Sequence, residues 1–185
     1  MVKRLFDLVL ALLALLVLAL PMLATALAVW LDSGRPVLFT QWRVGLGGRH
    51  FRLYKFRSMV VDAQARGPQC TAAGDPRITR VGRWLRRSSL DELPQLLNVL
   101  RGDMSLVGPR PDVPAQQADY RAEDWRLRCS VRPGITGLAQ ALYRSRATPQ
   151  QRLQADLDYA RDHGVLRDLR ILALTAAQLL RDSGN

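Results

Sequence analysis

Near the middle of the chain lies the stretch SSLDELPQLLNVLRG (residues 88–102), which combines a helical pattern with two adjacent carboxylates. Its leucines recur at helical spacing and Gly102 follows as a stop signal, so the stretch predicts a helix. Ser89 and Glu92 have the spacing of a capping box, in which serine caps the helix and glutamate reaches back to the serine amide. Asp91 and Glu92 can therefore be an ordinary helix start or a pair of reactive carboxylates.

A basic segment precedes the carboxylates. Arginine side chains bind phosphate oxygens in bidentate fashion, and carboxylates beside them can hold a divalent cation or attack phosphorus. The alternative is a solvated or lipid-facing basic surface. The segment from Pro76 to Leu90 contains no acidic residue, and its arginines recur at about helical spacing: Arg77, Arg80, Arg83, Arg86 and Arg87.

A proline-flanked arginine follows in the stretch GPRP (residues 108–111). Pro109 and Pro111 restrict the backbone around Arg110, so the chain can hold this cation in place at little entropic cost. A rigid surface turn with an incidental arginine is the alternative. Known phosphate-loop, dinucleotide, metal-cluster and serine-hydrolase motifs are absent from the sequence.

The N-terminal segment is apolar enough for a bilayer. From Leu8 to Leu31 every residue is apolar or small except Thr25, and a membrane-spanning helix needs about 20 such residues. We expect residues 1–32 to form a retained membrane anchor and residues 33–185 to form one further domain.

Charge favours an anchor that returns to the side from which it enters. Lys3 and Arg4 precede it, and no acidic residue lies between Ser33 and Val61 on its other flank, where six basic residues occur. Basic flanks stay cytoplasmic, so both ends favour the same side. Pro21 would break the helix, and the sequence predicts a re-entrant bend at Leu20 and Pro21. A kinked spanning helix is the alternative.

The remaining composition predicts one compact domain that is mainly α with little β. The chain has 185 residues, 48% of them apolar, and a net charge of +11 that indicates an anionic partner. Cys70 and Cys129 make no disulfide framework, which suits a reducing cytosolic face. We predict strands on both sides of a glycine cluster within 36–59, helices at 60–66, 78–87, 148–164 and 165–182, and loops at 108–114 and 132–137. The last helix is amphipathic, as expected for packing on a core or on lipid headgroups.

Taken together, these motifs resemble the bacterial sugar transferase family, the monotopic phosphoglycosyl transferases that begin glycan assembly on a polyprenol phosphate. The most specific segment runs from Asp75 to Pro111, and the chain resembles the minimal form, a catalytic domain alone. The motifs that carry the resemblance are KRLFDL (3–8), SGRPVLFTQWRVG (33–45), FRLYKFRSM (51–59), DPRITRVGRWLRRSSLDELPQLLNVLRGDMSLVGPRP (75–111), RPGITGLAQ (132–140) and ADLDYARDHGVLRDLRIL (155–172).

The resemblance implies a chemistry for this chain. Asp91 would attack the β-phosphate of a UDP-sugar, expel UMP and carry the sugar phosphate until polyprenol phosphate takes it. Glu92 would bind the metal or assist proton handling, and the Asp91–Glu92 pair would hold Mg²⁺. The expected location is the cytoplasmic face of the bacterial inner membrane, with the lipid bilayer as a partner. The basic residues expected to bind substrate and phosphate are Lys55, Arg57, Arg77, Arg87 and Arg110.

A second hypothesis comes from another class of protein. A membrane-anchored basic binding module would recruit anionic lipid or nucleic acid through its arginines, and Asp91 would be dispensable. Few aromatic residues are interleaved with the basic ones, so we expect no nucleic-acid partner.

Overall fold

The protein is described from a computed structural model, which covers residues 2–63, 65–67 and 74–182. Over these residues it is mostly helical with two small sheets, as the sequence predicts. Cys129 is a buried free thiol, while Cys70 lies outside the described residues.

The N-terminal segment forms two apolar helices, α1 (Val2–Val17) and α2 (Ala19–Ser33), bent by 63°. Among the described residues, none of the helices has by itself both the length and the hydropathy of a membrane span. The bent pair taken together meets both requirements. The break falls at Leu18 rather than at the predicted Leu20 and Pro21. Proline clashes with the carbonyl four residues earlier, and that carbonyl belongs to Val17, the last residue of α1. Pro21 therefore lies in the first turn of α2, after the break.

The first helix also contacts the rest of the protein. It packs against the helix α4 (Gln95–Arg101), and Ala11 is fully buried there. The buried carboxylate of Asp7 accepts hydrogen bonds from the Ser105 hydroxyl (3.0 Å) and the Leu106 amide (3.1 Å). The division at residue 32 stays a prediction.

A β-hairpin follows the helix pair, as predicted. Strands β1 (Leu38–Val44) and β2 (His50–Phe56) pair antiparallel, with Leu38 opposite Phe56 and Val44 opposite His50. The fully buried Asn98 of α4 binds the backbone of β2 through both ends of its amide: its Oδ1 accepts from the Tyr54 amide (3.1 Å), and its Nδ2 donates to the Arg52 carbonyl (2.7 Å). This contact fixes the strand that carries Lys55.

The predicted helix at 60–66 is wrong for its described residues, which form turns. Asp62 has a positive φ of 63°, which a helix does not accommodate, and a seven-residue segment is too short to nucleate a helix without packing. The helix predicted at 78–87 is confirmed as α3 (Arg80–Ser88), and the Thr79 hydroxyl accepts from the Gly82 amide at its start (2.9 Å).

The capping box predicted for Ser89 and Glu92 is wrong. Ser89 has a φ of 59° and its side chain makes no capping bond. Both carboxylates lie in a short 3-10 helix (Leu90–Glu92), and Leu93 and Pro94 separate this helix from α4, which ends at Gly102 as predicted. The Ser89 amide instead donates to the Leu85 carbonyl at the end of α3, and the Glu92 side chain bonds to Lys55 and Arg110.

The stretch predicted as a loop at 132–137 contains a strand. β3 (Ser105–Val107) and β4 (Gly134–Thr136) form a short parallel pair. Glycine at position 134 is required here, because a Cβ would lie 2.1 Å from the Gly108 nitrogen. The glycine that indicated a loop therefore allows close strand pairing.

The C-terminal half supplies the remaining helices: α5 (Ala122–Arg128), α6 (Leu138–Tyr143), α7 (Pro149–Arg161) and α8 (Val165–Asp182). The helices predicted at 148–164 and 165–182 are confirmed, whereas α5 and α6 are too short to show a clear period in the sequence. The main core gathers apolar side chains from β2, α4, β3 and the C-terminal helices: Phe51, Leu53, Leu96, Val99, Met104, Val107, Tyr159 and Ile171.

Candidate active site

A cavity of about 950 Å³ opens between the β-hairpin, the segment 58–63, α3 and the 3-10 helix. Its wall mixes cations, carboxylates and apolar side chains. The charged residues that line it are Arg43, Lys55, Arg57, Asp62, Arg77, Arg86, Asp91, Glu92 and Arg110. Such a surplus of cations suits a ligand with several phosphate oxygens.

Two cations hold Glu92. The Lys55 Nζ and an Arg110 Nη2 both lie 2.7 Å from its Oε1. Burial alone would raise the pKa of Glu92, but Arg110 and Lys55 outweigh it and lower the pKa to about 2. Burial lowers the pKa of Lys55, with Glu92 opposing that effect. Glu92 is thus a fixed anion that orients two cations toward the cavity.

Asp91 lies next to Glu92 but, unlike Glu92, forms no ion pair with the described residues. It is 7% exposed, and its carboxylate has no hydrogen bond or ion pair with the described residues. Burial raises the pKa of Asp91; Lys55 lowers it and Glu92 raises it. A buried carboxylate with both oxygens free, close to several cations, is suited to reaction with an electrophile.

Close packing of α3 brings a further cation to this carboxylate. A Cβ on Gly82 would lie 2.0 Å from the Ser58 carbonyl oxygen, so only glycine lets the helix approach this closely. One turn later, the Arg86 Nε donates to the Ser58 hydroxyl (2.9 Å), and Arg86 helps to hold down the pKa of Asp91. Arg86 belongs to the basic segment but is not among the predicted phosphate-binding residues, because helical spacing alone does not show which arginines face the cavity.

The backbone around Arg110 is fixed from three sides. The Gly134 amide donates to the Pro109 carbonyl (3.0 Å), Arg43 donates to the Pro111 carbonyl (2.9 Å), and Arg128 donates to the Arg110 carbonyl. These contacts add to the restriction that the prolines impose. The Arg110 side chain is therefore directed to Glu92 from a rigid loop.

A buried network lies behind this loop. The Arg128 guanidinium joins Asp156 (Nε to Oδ2, 2.9 Å) and Asp112 (Nη1 to Oδ2, 3.0 Å). Asp112 also binds Arg152 (2.7 Å) and the Tyr120 hydroxyl (2.7 Å). Burial raises the pKa of Tyr120 to about 12, which keeps it a hydrogen-bond donor. No motif in the sequence indicates this network, since its members come from separate segments.

The structure brings most of the sequence-predicted site residues to one cavity. Lys55, Asp91, Glu92 and Arg110 form a single cluster, which we call the cavity cluster. Arg57 also lines the cavity.

Two arginines of the basic segment differ from the expectation. Arg77 lines the cavity, but it forms a bidentate pair with Asp75 (3.0 and 2.7 Å) and donates to the Ala63 carbonyl (2.9 Å). Arg87 is exposed on α3 and lies outside the cavity wall. On this helix Arg86 occupies the position that the sequence suggested for Arg87.

The donor set at the cavity fits Mg²⁺. Among the described residues, no group of three or more histidine, cysteine, aspartate or glutamate side chains could hold a metal ion. Mg²⁺ does not need one, since it is commonly bound by one or two carboxylates together with water and substrate phosphates. The adjacent carboxylates of Asp91 and Glu92, which both line the cavity, match that requirement.

Comparison with known proteins identifies the family. Residues 1–182 match the family model described as bacterial sugar transferase. The chain therefore belongs to the bacterial sugar transferase family.

Several relatives of this chain are named as sugar phosphate transferases. The chain is 46% identical over 187 residues to the UDP-glucose:undecaprenyl-phosphate glucose-1-phosphate transferase of Caulobacter vibrioides, covering 96% of this chain and 69% of that protein. It is 44% identical to the protein of the same name from Escherichia coli, over 95% of this chain and 39% of that one. It is 40% identical to an N-acetylgalactosaminephosphotransferase of Aeromonas hydrophila, over 99% of this chain and 44% of that one. The chain thus spans less than half of two of these relatives.

Proposed function

We propose that this chain is a phosphoglycosyl transferase, which moves a sugar phosphate from a UDP-sugar to polyprenol phosphate and releases UMP. The observation that carries the proposal is the pairing of two unlike carboxylates: Asp91 is buried and unpaired, while Glu92 is fixed by Lys55 and Arg110. A binding module has no need for a buried, unpaired carboxylate. Relatives named for transfer from UDP-glucose to undecaprenyl phosphate support the substrate classes.

In the first half-reaction, an Asp91 oxygen attacks the β-phosphorus of the donor. The bond from that phosphorus to the oxygen that bridges to the α-phosphate breaks, and UMP leaves with the electron pair. Arg86 and Arg110 lie beside Asp91 and can donate to the phosphate oxygens as charge moves between them. The ionised form of Asp91 is the reactive one, and Lys55 favours it.

In the second half-reaction, a phosphate oxygen of polyprenol phosphate attacks the phosphorus of the aspartyl phosphosugar. The bond to Asp91 breaks, which restores the carboxylate and gives polyprenyl diphosphate sugar. The same cations serve both steps, because both transfer a phosphoryl group at the same phosphorus. When bound, Mg²⁺ would neutralise phosphate charge, and Asp91 and Glu92 are the residues that would hold it.

The bent helix pair is proposed as a re-entrant anchor on the cytoplasmic face of the bacterial inner membrane. Its support is the 63° bend, basic residues on both flanks, and large exposed apolar side chains on both helices, such as Leu16 and Leu20. Single cysteines at Val2 and His50, in a background without Cys70, should both be shielded from a membrane-impermeant maleimide in intact cells. Labelling of only one of the two from outside would rule out the re-entrant arrangement.

The decisive test of the transferase proposal uses Asp91→Asn. A donor radiolabelled in its sugar should label the wild-type protein when polyprenol phosphate is omitted, with one UMP released per site. Asp91→Asn should lose both the label and UMP release, since an amide does not attack phosphorus. Asp119→Asn, at an exposed aspartate, is the matched control and should behave as wild type.

The proposed nucleophile would be wrong if folded Asp91→Asn released UMP at the wild-type rate. The same assay, run across UDP-sugars, identifies the donor as the one that releases UMP fastest.

A further inference from the structure

Arg57 lies where the second apolar helix meets the cavity. Its Nη2 donates to the Ser33 carbonyl (2.6 Å), the Ser33 hydroxyl (2.9 Å) and the Gly34 carbonyl (2.8 Å), which lie at the C-terminal end of α2. The side chain also lines the cavity. One nitrogen therefore holds the helix end, and the rest of the guanidinium is available for another contact.

The remaining donors of Arg57 have no partner among the residues that the structure describes. The residue is 5% exposed, and its Nε and Nη1 are buried without a hydrogen bond to any described residue. No ion pair of Arg57 occurs within the described part of the chain either. A buried cation with unmet donors is costly unless an anion binds it, and the Nε and Nη1 of Arg57 can each donate to a phosphate oxygen.

We propose that Arg57 binds the phosphate of the polyprenol phosphate acceptor, an inference that rests on the proposed function. Lys55, Arg86 and Arg110 act on the Asp91 carboxylate, where the donor would react, and Arg57 is not among these cations.

Two features favour the lipid acceptor over the donor as the source of that phosphate. Arg57 holds the end of an apolar helix whose large side chains are exposed, so a lipid chain beside that helix would deliver its phosphate there. The cavity wall near it in sequence also carries apolar side chains that suit isoprene units: Leu38, Phe39, Met59, Val60 and Val61.

The two half-reactions separate the acceptor from the donor. In Arg57→Gln, the UMP burst without acceptor should stay within about twofold of wild type. Transfer from the preformed, labelled intermediate to polyprenol phosphate should slow by about 10- to 100-fold, the usual value of hydrogen bonds to a charged group. Arg57→Lys keeps the charge but replaces the Nε and Nη1 donors by a single ammonium, so its transfer rate should lie between those of Arg57→Gln and wild type.

Two control variants test for indirect effects. Arg83→Gln removes an exposed cation of α3 that does not line the cavity, and it should leave both steps unchanged. Ser33→Ala weakens the hold of Arg57 on α2 while keeping its Nε and Nη1, so it should keep the acceptor step. Thermal unfolding of each variant establishes that it is folded, and Arg57→Lys carries the test if Arg57→Gln does not fold.

Three results would overturn the inference. Equal slowing of both half-reactions in Arg57→Gln would assign Arg57 to the donor, and wild-type rates in both would remove it from the site. A slow acceptor step in Ser33→Ala equal to that in Arg57→Gln would make its role structural. Failure of the proposed function is a different outcome, since wild-type protein would then give no UMP burst.

Discussion

Two groups of charges lie on opposite sides of the Arg110 loop and differ in how fully they are paired. The cavity cluster contains a free carboxylate, Asp91, and a glutamate that holds two cations by one oxygen. In the buried network of Asp112, Arg128 and Asp156, both carboxylates bind the same arginine, and the network extends to Arg152 and Tyr120. The cavity cluster can still form hydrogen bonds to a ligand, whereas nearly all polar atoms of the buried network are already bonded to other protein groups.

Arg110 belongs to both groups through different atoms. Its side chain pairs with Glu92 at the cavity, and its carbonyl accepts from Arg128 of the buried network. The comparison therefore separates residues that take part in the reaction from residues that position them. We expect the buried network to govern stability and the cavity cluster to govern turnover.

The largest effect on stability is expected for Arg128→Met. The change leaves Asp112 and Asp156 buried with less compensation, and removing one partner of a buried ion pair costs about 3–5 kcal/mol of unfolding free energy. Urea unfolding in detergent micelles measures it. Arg126→Met, at an exposed arginine of the same helix, is the control and should cost less than about 0.5 kcal/mol. A similar loss in both variants would mean that the buried network contributes no more to the unfolding free energy than an exposed arginine does.

The next effect concerns Glu92 and pH. Its folded pKa is about 2 against an ordinary value of 4.5, so its contribution is complete above pH 4.5 and is lost as pH falls through 2. Glu92→Gln should therefore be less stable than wild type by about 3 kcal/mol near neutral pH, and the difference should vanish below pH 2. Urea unfolding at several pH values measures this.

Glu123→Gln, at an exposed glutamate, should follow the wild-type curve throughout. A stability difference for Glu92→Gln that stayed constant with pH would show that packing, and not charge, holds Glu92 in place.

The smallest effect compares neighbouring arginines of α3. Arg86 lines the cavity and acts on Asp91, whereas Arg87 is exposed. Arg86→Gln should slow the UMP burst by roughly tenfold, as expected for about 1.4 kcal/mol of lost phosphate binding, and Arg87→Gln should leave it unchanged. Stopped-flow or quench-flow UMP measurement provides the rates. An equal effect of both variants would indicate a general charge effect of the helix.

Local signals in the sequence predicted the outline of the fold and the identity of the carboxylate pair. The hairpin, α3, α4 with its stop at Gly102, and the two C-terminal helices follow from periodicity and turn residues. Distant contacts outweighed two local predictions, since Gly134 pairs with β3 and Glu92 bonds to cations instead of a helix amide. The helix predicted at 60–66 failed for a local reason, because Asp62 has a positive φ within a short segment.

The sequence by itself determined which chemical groups are present: an apolar N-terminal pair of helices, adjacent carboxylates, and a surplus of arginines with one held between prolines. Only the tertiary structure decided which cations reach which carboxylate. Lys55 meets Glu92 across 37 residues of chain and Arg110 meets it across 18. The physical reason is that charge pairing depends on distance and burial in space, and neither is set by spacing along the chain. For the same reason, only the fold distinguishes Asp91, left free, from Glu92, held by two cations.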